Sequence, residues 1–145
     1  MATMNAQVTP LPICKAILLC DAVAEKENGT LRLDGVFSNF FVNSSLTSPA
    51  AEAFCQITDA NGRYSLVAEI HDLTAGEIIG RSSPTEIEVS DPLLNLSVII
   101  SIPPLKFQTI GLHDLVILAN GEEIDRKRFG VTQELRELQE HGHES

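Results

Sequence analysis

Two histidine–carboxylate pairs are the residues best suited to chemistry in this chain: Glu69 with His71, and His113 with Asp114. Imidazole and carboxylate are common ligands of divalent metals and common acid–base partners. Glu69 and His71 share one face of a predicted strand, and His113 opens a later one. If those strands are neighbours, His71, His113 and a carboxylate would form a metal site. Nothing in the spacing requires it, and scattered strand histidines are usually surface or hydrogen-bonded structural residues. His141-Gly142-His143 reads as a frayed tail rather than a ligand cluster.

Other chemistry finds less support. Glu86/Glu88 and Glu122/Glu123 are paired carboxylates. Glycoside hydrolysis needs two carboxyls across a cleft, but strand alternation turns Glu86 and Glu88 outward together. The chain has no Trp and one Tyr, Tyr64, which removes the usual sugar-stacking platform. Gly-x-Ser-x-Gly and Ser-x-x-Lys are missing, and the nine glycines sit at turns and strand ends rather than in a phosphate-cradling loop. Asp59-Ala60-Asn61, and Asp21 with Glu25 and Glu27, fall in ordinary turns rather than calcium loops. Cys14, Cys20 and Cys55 read as small, reduced core side chains. Cys14 and Cys20 are about 20 Å apart along one strand, too far to pair.

The elements that carry these residues are strands. Asn28-Gly29, Asn61-Gly62 and Asn120-Gly121 each separate stretches of β character. Both residues tolerate the positive φ of tight antiparallel turns, so the chain reads as a meander. In Arg63 to Leu73, Tyr64, Leu66, Ala68 and Ile70 alternate with Ser65, Val67, Glu69 and His71. About eight or nine short strands at roughly 8–12-residue spacing predict an all-β antiparallel sandwich, immunoglobulin-like or a jelly-roll Greek key. Residues 1–12 read as a flexible segment, 13–131 as the sandwich, and 132–145 as a short C-terminal helix with a frayed end. The helix rests on Val131, Leu135 and Leu138 at helical spacing with Thr132 as its cap.

A chain of 145 residues is one domain in size. Its formal charge of −10 repels phosphate backbones and anionic lipid, so neither nucleic acid nor a membrane surface is an expected partner. Arg126-Lys127-Arg128 does not reverse this: its members alternate between faces and read as a solvated edge strand. The apolar stretch from Ile13 to Ala24 is broken by Lys15 and Asp21 and follows no basic region, so it is neither a signal peptide nor a span. A cytoplasmic location follows, and the Asn-x-Ser/Thr triplets at Asn28, Asn43 and Asn95 then carry no meaning as glycosylation sites.

Ala16-Ile17-Leu18-Leu19-Cys20-Asp21, the Asn28-Gly29 turn, Leu31-Arg32-Leu33-Asp34-Gly35-Val36-Phe37 and the Asn120-Gly121-Glu122 hairpin ending in Val131 together resemble a bacterial family of uncharacterised β-sandwich proteins. The resemblance spans roughly residues 13 to 131. Where that family often has Gly-x-Tyr opening the penultimate strand, this chain has Gly111-Leu112-His113. The resemblance implies a fold and no activity.

Two strands are more apolar than one wet face permits: Val98, Ile99, Ile100 and Ile102 in one, Leu115 to Leu118 in the other. A cover is therefore expected, either the C-terminal helix or a second subunit. Val98, Ile99, Ile100, Leu115, Ile117, Leu135 and Leu138 are the expected interface. The function expected is a non-catalytic interaction or assembly module without a cofactor, partnered by itself or another protein. The alternative is a ligand- or metal-binding sandwich using His71 and His113, and an enzyme is the least supported reading.

Overall fold

A computed structural model describes residues 9–133, and these are all-β. Ten strands follow one another: β1 (Ile13–Glu25), β2 (Leu31–Phe37), β3 (Asn39–Val42), β4 (Ala51–Thr58), β5 (Gly62–Asp72), β6 (Glu77–Arg81), β7 (Thr85–Val89), β8 (Leu96–Ile102), β9 (Gly111–Ala119) and β10 (Glu122–Gln133). They form a four-stranded sheet in the order β2-β1-β4-β8 and a six-stranded sheet in which β3-β10-β9-β5-β6 lie side by side and β7 also pairs with β5. No described helix is long and apolar enough to cross a membrane.

Strand alternation builds one core from both sheets. Leu19, Ala53, Cys55 and Ile100 from the smaller sheet meet Leu66, Ile70, Leu115, Ile117 and Phe129 from the larger. The expected alternation of β5 holds: Tyr64, Leu66, Ala68 and Ile70 are buried in this core.

Three sequence expectations change. Asn28-Gly29 and Asn120-Gly121 close the β1–β2 and β9–β10 hairpins, the second with φ of 51° and 85° as its tight turn requires. Asn61-Gly62 does not close a hairpin. It carries the chain from β4 in one sheet to β5 in the other, so the strands are not a simple meander. The buried Tyr64 clamps this crossing, its hydroxyl accepting the Asn61 N–H at 2.9 Å and donating to the Pro10 carbonyl at 2.6 Å.

Pairing is also not wholly antiparallel, because β3 runs parallel to the end of β10. That pairing keeps Thr132 and Gln133 extended, where a helix cap was expected. The remainder of the expected helix, with the tail histidines, lies outside the described residues. The Arg126-Lys127-Arg128 stretch does lie on an edge as expected: among the described residues it pairs with β9 alone, since β3 meets β10 only from Gly130 onward.

Candidate functional site

The expected metal site does not assemble. β5 and β9 are neighbours, with His71 opposite Asp114 and Asp72 opposite His113. A one-residue offset in an alternating strand decides the outcome: His71 lies on the outer face of the larger sheet and His113 on the core face. Among the described residues no group of three or more His, Cys, Asp or Glu side chains is placed to hold a metal ion.

The core-facing half is a structural constellation. Asp72 accepts the N–H groups of Thr74 and Ala75 at 2.9 and 3.0 Å and the Thr109 hydroxyl at 3.0 Å. Burial works against its charge, but those bonds, with His113 nearby, outweigh burial and hold its carboxyl below the ordinary value. His113 Nδ1 donates to the Gly111 carbonyl at 3.1 Å, and its Nε2 stands 3.8 Å from Asp72 without a hydrogen-bond partner. The ring is stacked on Phe129 and edge-on to Phe107. With His113 fully buried and Asp72 at 1% exposure, no substrate reaches the pair.

The outer face of the larger sheet is the candidate site. Register places Arg126 and Arg128 of β10 beside Val116 and Asp114 of β9, then Glu69 and His71 of β5, then Arg81 and Ile78 of β6. Asp114 receives Arg126 at 2.9 Å and Arg128 at 3.2 Å. Arg126 also grips Glu123 through two nitrogens, at 2.8 and 2.7 Å. Glu69 receives Arg81 on one oxygen and His71 Nε2 at 3.0 Å on the other. The result is a lattice of three arginines, three carboxylates and a histidine.

Its electrostatics follow from crowding and pairing. Burial alone would push the Asp114 carboxyl up, but the bonds from Arg128 and Arg126 hold it below its usual range. Arg126 does the same for Glu123, and its own guanidinium is held more firmly protonated. Toward one end of this face three apolar side chains are exposed on separate strands, Phe41 of β3, Leu112 of β9 and Ile78 of β6, by 59, 53 and 54%.

The expected interface residues divide. Val98, Ile100, Leu115 and Ile117 are buried in the intramolecular core, so their apolar character serves folding and not a second subunit. Ile99 points the other way and is half-buried on the outer face of the smaller sheet. Leu135 and Leu138 lie outside the described residues. Val116, on the outer face of β9, is 1% exposed between its cross-strand neighbours Glu69 and Arg126. The lattice side chains thus flank the site where sequence called for a cover, as long charged residues do with their alkyl stems.

Sequence reasoning found His71, Glu69 and Asp114 but missed their arginine partners. Outward alternation of Arg126 and Arg128 was legible; which strand lay beside them was not.

The sequence from residue 15 to 132 matches the model of a family described as "Family of unknown function (DUF6941)". No curated protein matches the chain. Among solved structures, one similar chain is a β-glucosidase from Listeria innocua in complex with glucose, at 13% identity and a TM-score of 0.39. The likeness covers 81% of this chain and only 16% of that enzyme.

Proposed function

Because the chain belongs to this family of unknown function, we propose its role from geometry: a non-catalytic protein-interaction module, built as an immunoglobulin-like β-sandwich and working in the cytoplasm. Strand order supports the fold. β8-β4-β1 in one sheet and β10-β9-β5-β6 in the other reproduce the neighbours expected of the E-B-A and G-F-C-C′ strands of such a sandwich, with β2 added beside β1. Three cysteines present as free thiols suit a reducing compartment.

The observation that carries the functional reading is the outer face of the larger sheet, where three exposed apolar side chains stand around an internally paired charge lattice. Arginine and aromatic residues beside apolar ones are typical of protein interfaces. The lattice is locally neutral on a chain of formal charge −10, so it is a place where another protein approaches without like-charge repulsion. The matching partner is a protein surface with apolar side chains set among mixed charge.

Ile78→Lys combined with Leu112→Lys tests this. Both side chains are more than half exposed, so the melting temperature should stay within a few degrees of the wild type. Affinity capture from lysate of the producing organism should retain a protein on the wild type that the double variant loses. Identical captured proteins for the two would overturn the reading.

A further inference from the structure

We propose that Cys14 and Cys55 form a reversible dithiol–disulfide site: a hydroperoxide oxidises Cys14, and Cys55 then closes a disulfide within the same chain. The inference rests on β1 and β4 of the smaller sheet and is independent of the recognition face described above.

Strand register brings the two thiols together. Cys14 of β1 pairs with Ile57 of β4, yet Ala16 pairs with Gln56, so Lys15 is an extra residue in β1. A bulge of this kind re-aims the side chains beyond it. Ile17 and Leu19 face the core, and strict alternation from them would turn Cys14 to the outer face. The extra residue reverses that phase, and Cys14 packs against the core instead. Cys55 lies opposite Ile17, on the same face as Ile57 and two residues from it, which makes it the diagonal neighbour of Cys14. Both are free thiols, and a hydrogen bond links their side chains.

Their surroundings divide the roles. Cys55 is fully buried, whereas Cys14 is only partly so. The bond from Cys55 holds the Cys14 thiol below its ordinary value, against burial and the nearby Asp125 carboxylate. The same contact, together with burial, pushes the Cys55 thiol up. Cys14 thus carries the larger thiolate fraction and is the sulfur an oxidant meets first, with Cys55 as its resolving partner. Cys20 serves as an internal comparison: it is buried, donates to the Glu52 carbonyl at 3.6 Å, and burial pushes its thiol up.

Charge selects the oxidant. Asp125 stands beside Cys14 on a chain of formal charge −10, so an anionic disulfide is repelled where a neutral hydroperoxide is not. The Cys14 thiolate attacks the terminal oxygen of the hydroperoxide and the O–O bond breaks. The departing alkoxide takes up the proton that Cys14 released, leaving Cys14 as a sulfenic acid. The Cys55 sulfur then attacks the Cys14 sulfur, the S–O bond breaks, and the Cys55 proton leaves with the hydroxide as water. Two thiols lose two electrons in all, and one hydroperoxide becomes an alcohol and water. A small-molecule thiol reverses the bond by exchange.

The test is hydrogen peroxide on the native protein, followed by alkylation under denaturing conditions and peptide mapping by mass spectrometry. Wild type should lose the mass of two hydrogen atoms, keep one alkylatable thiol of its three, and show residues 14 and 55 linked within one chain. Dithiothreitol should restore all three thiols. Cys14 should oxidise about tenfold faster than Cys20, or more. Cys55→Ala removes the resolving sulfur, so Cys14 should accumulate as a sulfenic acid that dimedone traps. Cys20→Ala should form the 14–55 link as the wild type does. The wild-type map decides the matter even if the buried Cys55 does not tolerate replacement. A wild type that keeps all three thiols alkylatable overturns the proposal, as does a disulfide that joins two chains or includes Cys20.

Discussion

Asp114 gathers two arginines from β10 while itself nearly shielded from solvent, and the balance at that carboxylate sets how the outer lattice responds to pH. Its folded-state pKa lies below the ordinary 3.8, so its contribution is present above that value and lost as pH falls through the lowered one. Replacing it by alanine should cost about 1–3 kcal/mol of unfolding free energy near neutral pH, toward the lower end because both arginines are solvent-exposed. Urea unfolding at pH 7 and again below pH 3 checks this: the gap between Asp114→Ala and wild type should narrow in acid. Asp72 shares the direction of shift and keeps part of the acid sensitivity in the variant.

At the scale of the element, β8 separates two roles that one apolar run had merged. Ile100→Ala removes a fully buried side chain and should destabilise by about 2–5 kcal/mol, whereas Ile99→Ala, on the outer face, should cost well under half as much in the same denaturant titration. β3 makes a different point. It is held by parallel pairing to the end of β10, and a Cβ on Gly130 would run into the Asn39 side chain. Asn39 also accepts the Thr132 hydroxyl at 3.1 Å. Gly130→Val should therefore peel β3 away, seen as faster hydrogen exchange at residues 39–42 while β5 and β9 stay protected.

For the whole molecule, net charge governs association. Debye screening shortens from about 30 Å at 0.01 M salt to about 8 Å at 0.15 M. Any association of two copies should therefore tighten as salt rises across that range, because repulsion between two acidic chains is what opposes it. Sedimentation across a salt series reads this directly. Loosening with salt would instead mark an ionic contact, pointing to the arginine–carboxylate lattice.

Sequence alone determined what is periodic and local. Alternation in β5 assigned Tyr64, Leu66, Ala68 and Ile70 to one face, and Asn-Gly at 28–29 and 120–121 marked real hairpins, because side-chain direction and positive φ are properties of a few consecutive residues. The histidine–carboxylate pairs were legible as residues, but their convergence was not. Only the register between β5 and β9 put His71 outside and His113 within, since an offset of one residue reverses every face. Likewise Asn61-Gly62 has the residues of a hairpin turn, yet the common core draws the strands on either side of it into different sheets. The apolar runs at β8 and β9 announced burial without naming its source. Packing between the sheets supplied it for Val98, Ile100, Leu115 and Ile117, and left one edge of β8 without a flanking strand among the described residues, a feature that no side-chain pattern encodes.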